Sequence, residues 1–301
     1  MRGKDLGQAE APERVIGYDV ERRRGAPPTL VADALDAALA ARAAQTGRAA
    51  LDVVDVGAGT GGFAVRLAAL GHHVTVVDPS PDALAAARWR AAELGVTLTA
   101  VQGEAGDLAG LVGDDAADLV VCHNVLEYVD SPAAAMAAIA RVLRTGGTVS
   151  VLAANVIAAV LQRALAGRYD EARRLLTPHS PSAAVDEPLV SAPAAVAADT
   201  VAADTAAAAS GVTEHRRFTL PELTALIEGA GLRIGEAQGI RVFGGLLLGA
   251  GAAADPAAAD ALRELETAVA SYPALRDIAA RLHVVAFRAE APAGFSDACG
   301  L

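Results

Sequence analysis

Aromatic residues make up only 3% of this 301-residue chain, and Lys4 is the single lysine; the other 24 cations are arginines. Roughly a quarter of the residues are alanine, against a norm nearer 8%. That Ala/Arg skew follows genome composition, so no function is read from it. Two cysteines, Cys122 and Cys299, are too few for a disulfide framework or a four-cysteine metal site, and no metal is expected. The N-terminus lacks the apolar stretch of a signal peptide, because charges fall throughout residues 2–24. One uncharged run, Thr145 to Gln162, has membrane-spanning length. It contains Gly146, Gly147, Asn155 and Gln162 and starts like a strand, so a soluble, cytoplasmic protein is expected.

What is present is a large apolar fraction, 53%, enough to bury a sizeable core and to exclude full disorder. The formal net charge is −11, which argues against a wholly basic nucleic-acid binder while leaving a local basic patch open. Four acids and no basic residue fall in the Ala/Pro/Ser/Thr-rich stretch 177–213, read as a low-complexity, lid-like insertion. About −7 then remains for the rest of the chain (−11 + 4).

Residues 1–44 read as an N-terminal segment ending in a helix over Leu30–Ala44. From Ala50 the pattern alternates. Strands are expected at Ala50–Val56, Val74–Val77, Val96–Gln102, Asp118–His123, Thr148–Ala153, Leu232–Phe243 and Leu282–Arg288. Helices are expected at Gly62–Leu70, from Ser80-Pro81 to Leu94, from Ser131-Pro132 to near Arg144, from Asn155 to about Leu176, from Thr219 to Gly229 and over Pro256–Ala270. Strands alternating with helices imply βαβ units, right-handed crossovers and a Rossmann-like doubly wound α/β sheet whose strand C-termini form the ligand-binding edge. Residues 45–290 thus form one domain interrupted at 177–213, and 291–301 is a tail.

The chemistry concentrates after the first strand. Asp55-Val-Gly57-Ala-Gly59-Thr-Gly61-Gly62 turns from strand into helix, where glycines permit close approach and the helix N-terminus offers free N–H groups. Asp78, at the end of the second strand, is placed to accept hydrogen bonds from both ribose hydroxyls. Gly57-x-Gly59-x-x-Gly62 also satisfies the dinucleotide fingerprint. Asp55 argues against it: an acid beside the loop repels a pyrophosphate and attracts an amino group. Ala105 and Gly106 would let an adenine pack closely, with Asp107 accepting from its amino group; a plain surface turn is the equal alternative. His123, Asn124 and Tyr128 end the fourth strand at the same edge, where substrate meets cofactor. Cys122 points the other way, into the core.

These residues carry a resemblance. Roughly residues 45–155 resemble class I S-adenosylmethionine-dependent methyltransferases. The chain is more narrowly similar to bacterial tRNA 5-carboxymethoxyuridine methyltransferases in His-Asn-Val-Leu-Glu-Tyr (123–128), Asn155, Ala166-Gly-Arg-Tyr-Asp170, Gly239-Ile-Arg-Val-Phe243, Leu265-Glu-Thr267 and His283-Val. The resemblance implies a seven-stranded sheet with its last strand antiparallel, and S-adenosyl-L-methionine as cofactor. It implies methylation of the carboxylate of a modified wobble uridine, with Gly57, Ala58, Asp78, Ala105, Gly106 and His123 contacting the cofactor. The chain departs from the family's pattern in three places. The N-terminal cofactor-contacting arginine aligns near Pro28, with Arg22–Arg24 nearby as substitutes. A lysine-rich stretch is reduced to His215-Arg216-Arg217, and the 177–213 insertion has no counterpart.

An ionised carboxylate acceptor needs no general base, so His123 is expected to bind or orient. Arg241 is a candidate to pair with that carboxylate, and Asn155 to touch the substrate. Arg163, Arg168, Arg173, Arg174, Arg216 and Arg217 are candidates for a tRNA phosphate-binding face. Two other functions stay open: O-methylation of a small metabolite, in which His123 would act as base, and a non-catalytic cofactor-binding module.

Overall fold

The computed structural model describes residues 29–176, 215–245 and 256–289. Arg22–Arg24, Pro28, the 177–213 insertion and the 291–301 tail lie outside the described residues.

In chain order the elements are α1 (Thr29–Thr46), β1 (Asp52–Val56), α2 (Gly62–Ala69), β2 (His73–Asp78), α3 (Pro81–Glu93) and β3 (Thr99–Gln102). A short 3-10 turn (Ala105–Asp107) leads into α4 (Leu108–Val112). Then follow β4 (Ala117–His123), α5 (Pro132–Val142), β5 (Leu143–Ala154), α6 (Val156–Leu165) and α7 (Tyr169–Leu175). The described chain resumes with α8 (Leu220–Gly229), β6 (Arg233–Ile240), α9 (Pro256–Val269), α10 (Pro273–Arg276) and β7 (Arg281–Phe287).

The seven strands form one sheet in the order β3-β2-β1-β4-β5-β7-β6. Neighbours from β3 to β5 pair in parallel; β7 is antiparallel to both β5 and β6. Its parallel part is the doubly wound sheet that the alternation of elements predicts, and seven strands with an antiparallel last strand are what the resemblance to class I methyltransferases implies. β4 is buried along its length apart from half-buried His123, as a central parallel strand covered on both faces must be.

The helix starts follow the local signals. Ser80 and Ser131 cap α3 and α5 by accepting from Ala83 and Ala134 N–H, each with proline in the first turn. Thr219 and Glu222 complete a capping box on α8. α1 buries Val31, Leu35 and Leu39, one residue per helical turn, against the face of the sheet that carries Val53, Leu119 and Leu152.

Several expected boundaries move; β5 begins at Leu143 where the sequence places the end of a helix near Arg144. Gly167, at φ +74, breaks the long helix expected after Asn155 into α6 and α7. The third strand shortens to Thr99–Gln102, because Gly95 ends the preceding helix in a left-handed turn. β6 stops at Ile240, and Arg241 takes φ +61 outside the strand. α4 and α10 form where the sequence reads as loop. No described helix is long and apolar enough to cross a membrane; the uncharged run from Thr145 is divided between β5 and α6.

Candidate active site

The C-terminal ends of β1, β2 and β4 open onto a cleft of about 280 Å³. Val56, Gly57, Asp78 and Ala105 wall one side and Asn124, Val125 and Tyr128 the other. Gly57 has φ +63, and a Cβ there would stand 2.5 Å from Val125 Cγ2. Gly61 caps α2 in the left-handed region, and its missing Cβ lets Ala87 of α3 approach. Glycine is therefore required twice, once for the cleft wall and once for helix packing.

Asp78 braces the loop. Its Oδ2 accepts from Gly59 N–H at 3.1 Å and its Oδ1 from Ser80 N–H at 2.9 Å, leaving each carboxylate oxygen a lone pair for a ligand hydroxyl. Asp55 is buried beneath the loop. Burial, then the neighbouring Asp78 charge, push its carboxyl up to about 7 against an opposing hydrogen bond from Ala64 N–H. A buried carboxyl raised this far is suited to an incoming cation, which restores its ionised form. Ala105 lines the cleft, whereas Gly106 and Asp107 sit on the exposed 3-10 turn and do not line it.

A polar row continues from this site along one sheet face. Side-chain alternation puts Asp55, His123, Ser150 and His283, on β1, β4, β5 and β7, on the same side. His123 Nε2 lies 2.8 Å from Ser150 Oγ, which lies 2.8 Å from His283 Nε2. Burial holds His283 down at about 4; burial and then His283 hold His123 well below the usual histidine range. Both rings are neutral at pH 7. Phe63, at the start of α2, meets the His123 ring edge-on at 5.0 Å, and His123 Nδ1 is buried with no hydrogen-bond partner. Cys122, on the opposite face, is a core residue whose thiol burial pushes up.

On the far side of Asn124 stands a residue that the sequence reading missed. Arg281, at the start of β7, donates to Asn124 Oδ1 at 2.6 Å and lies 3.8 Å from Glu127 Oε1. Glu127 in turn accepts from Ala154 N–H at 2.6 Å. Arg241, the arginine expected in this role, instead forms a tight turn: its carbonyl accepts from Gly245 and Ala280 N–H, and its guanidinium bends toward Gly244 O. Asn155 is also committed to the scaffold. Its amide donates to Asp277 O and Ala279 O, and its Oδ1 caps α6 through Ile157 N–H.

The six arginines do not form one face. Arg163, Arg168 and Arg217 surround a cavity of about 60 Å³ beside Asn155. Arg216 reaches the cleft rim, donating to Val129 O at 3.0 Å next to the Tyr128–His215 ring contact. Arg173 and Arg174 are exposed on α7, and Arg173 faces Asp170.

The missed residues left a faint signal. Ser150 and His283 are polar positions inside apolar strands, and a buried polar side chain needs a partner. Which partner depends on β7 inserting next to β5, a long-range event.

Comparison with known proteins agrees with this geometry. The family described as "Methyltransferase domain" matches residues 54–151. The chain is 37% identical over 103 residues to the ubiquinone biosynthesis O-methyltransferase of Aeromonas salmonicida, covering 34% of this chain and 43% of that protein. It is 31% identical over 129 residues to the tRNA 5-carboxymethoxyuridine methyltransferase of Escherichia coli, covering 42% and 49%. The chain thus spans less than half the length of these two curated relatives. In fold it is similar to an S-adenosylmethionine-dependent methyltransferase from Methanosarcina mazei, with a TM-score of 0.51 at 17% identity, covering 81% of this chain and 95% of that one. The glycine loop, the buried Asp55 and the Asp78 brace fit S-adenosyl-L-methionine, whose ammonium and ribose hydroxyls complement these two carboxylates. Residues 54–151 match the methyltransferase-domain family, and the seven-stranded sheet around them has the class I methyltransferase fold.

Proposed function

We propose that the chain transfers a methyl group from S-adenosyl-L-methionine to the carboxylate of a modified wobble uridine in tRNA, giving a methyl ester. The observation that carries this reading is the Arg281 guanidinium, held against Asn124 at the end of β4 and one residue after Ala280, which lines the Arg163/Arg168/Arg217 cavity. A guanidinium fork matches a carboxylate acceptor. The relative named as a tRNA 5-carboxymethoxyuridine methyltransferase supports the same substrate class.

When bound, the cofactor supplies an electrophilic methyl on a sulfonium. Asp55 takes its ammonium, Asp78 its ribose, and Ala105 its adenine ring. His123, at the end of β4 next to the cleft-lining Asn124, is a neutral ring and orients rather than ionises. Arg281 takes the place given to Arg241 in the sequence reading and aligns the acceptor carboxylate. That carboxylate is already ionised at pH 7, so this chain's residues would need to supply no base for it, only orientation.

A second reading, O-methylation of a hydroxyl on a small metabolite, is favoured by one observation: the unpartnered Nδ1 of His123, backed by Ser150 and His283, is placed to accept a proton. The relative named as a ubiquinone biosynthesis O-methyltransferase points the same way.

Mass spectrometry of tRNA nucleosides from a deletion strain separates the two. Loss of the methyl ester, with its free acid accumulating, is the expected result; an unchanged nucleoside profile would sink the tRNA reading. At saturating cofactor a flat pH–rate profile between about 6 and 9 accompanies a carboxylate acceptor, whereas a phenolic hydroxyl acceptor adds an ascending limb toward its own pKa of about 10.

A further inference from the structure

We propose that the cavity walled by Arg163, Arg168 and Arg217 is a phosphate subsite that holds a phosphate group of the methyl acceptor. Three separate elements build it. Arg163 comes from α6, Arg168 from the turn between α6 and α7, and Arg217 from the segment before α8. That segment is tied to the end of β5: Phe218 N–H donates to Ala154 O, and Val156 N–H donates to Phe218 O. These bonds carry Arg217 across to face the other two.

The chemistry of the wall is cationic. Among the described residues two carboxylates bear on these arginines: Glu171, 3.5 Å from Arg163 and 3.4 Å from Arg168, and Glu127, whose charge interacts with Arg217, so three guanidiniums meet two acids. The neutral lining groups are already spent, Asn155 on the fold and the Gln162 amide on Gly245 O. What the cavity offers a ligand is guanidinium N–H, and guanidinium forks suit tetrahedral oxyanions. Its 60 Å³ is at least four times the roughly 10–15 Å³ that one water needs, which is room for a hydrated oxyanion.

Position ties the cavity to methyl transfer. Ala280 lines it, and the next residue, Arg281, holds Asn124 of the cofactor cleft. Ala154 also lines it and donates to Glu127, which faces Arg281. An acceptor with its reacting group against Arg281 would place a phosphate among these three arginines across the neighbouring Ala280. The subsite rests on the methyl-transfer reading only for which molecule carries the phosphate.

The test is binding without turnover. Inorganic phosphate is titrated into the full chain saturated with S-adenosylhomocysteine, by calorimetry, in the wild type, Arg168→Gln and Arg217→Gln. Each variant is expected to bind phosphate about tenfold more weakly, with S-adenosylhomocysteine affinity within about twofold of wild type. No phosphate binding, or equal binding in all three proteins, overturns the subsite. If a variant does not fold, phosphate should still protect Arg168 and Arg217 of the wild type from labelling by phenylglyoxal; absent protection also overturns it. Two further arms identify the carrier. A uridine-containing RNA oligonucleotide binding more tightly than uridine monophosphate assigns a backbone diester, and the reverse order assigns a phosphate monoester. An unchanged tRNA nucleoside profile together with phosphate binding refutes the tRNA substrate and leaves the subsite standing.

Discussion

His123 and His283 turn the same nitrogen, Nε2, toward one hydroxyl: Ser150 Oγ lies 2.8 Å from each, and the two ring centroids are 6.0 Å apart. One hydroxyl has one proton. It donates to one ring and accepts from the other, so the two neutral imidazoles hold opposite protonation at Nε2. Unfolding exposes both rings, which then take up protons near pH 6.5. Burial keeps the folded values lower, so this contribution to stability is complete above about 6.5 and is lost as pH falls toward 4. Between pH 7 and 4.5, His283 alone should cost the wild type roughly 2–3 kcal/mol that His283→Gln does not lose. Denaturant unfolding at the two pH values checks this; an equal loss in both proteins would refute it.

Asp55 carries the opposite sign. Its folded value of about 7 lies above that of an unfolded aspartate, so its contribution to the cofactor-free protein is complete below about 4 and is lost as pH rises through 7. A bound ammonium reverses the shift. At pH 7 a carboxyl titrating near 7 is about half protonated, so binding S-adenosylhomocysteine should release about half a proton. Calorimetry in two buffers of different ionisation enthalpy measures that number. Asp55→Asn should abolish the release and weaken binding about tenfold or more. Buffer-independent heats in the wild type would contradict the assignment.

Gly57→Ala meets two penalties. The residue sits at φ +63, and its new methyl would stand 2.5 Å from Val125 Cγ2. Together these should cost about 1–3 kcal/mol and sharply reduce S-adenosylhomocysteine affinity. Adding Val125→Ala removes the clash but not the backbone strain, so affinity should recover only in part. Full recovery in a binding titration would show that the backbone conformation is immaterial.

At the opposite end of β4, the buried Asp118 accepts from Arg42 Nε at 3.1 Å, Arg48 Nη1 and Arg144 Nη1 at 2.9 Å each, and Asp52 N–H at 3.1 Å. Asp118→Asn removes the anion of Arg42 and leaves Arg48 and Arg144 with Asp52 as their carboxylate partner. Because Arg48 and Arg144 are partly exposed, water compensates some of the loss, and the expected cost is about 2–4 kcal/mol. The cofactor cleft lies at the other edge of the sheet, so S-adenosylhomocysteine affinity should hold within about twofold in the folded variant. A large affinity loss with unchanged stability would overturn this separation.

Local signals carried much of the architecture. β-branched runs marked the parallel strands, Ser80-Pro81 and Ser131-Pro132 marked helix starts, and the glycine loop with Asp78 marked the cleft, which Gly57 and Asp78 line. Each depends on residues close together in the chain, where backbone sterics, capping and periodicity act directly. Arg241 shows where that reasoning stopped. From the sequence it continued a strand toward the substrate, but Ala280 N–H bonds its carbonyl and holds it in a left-handed turn, and Arg281 stands at Asn124 instead.

Antiparallel β7, slotted between β5 and β6, decided the rest. It sets His283 opposite Leu152 and within reach of Ser150, and it carries Arg281 to Asn124, 157 positions away in sequence. Folding of α7 and the Phe218 bridge likewise gathered Arg163, Arg168 and Arg217 while leaving Arg173 and Arg174 outside. Composition and periodicity act over a few residues and determined the scaffold and the cofactor loop. Partner choice for buried polar groups is settled only when distant strands meet, because only then does burial demand that each donor find an acceptor.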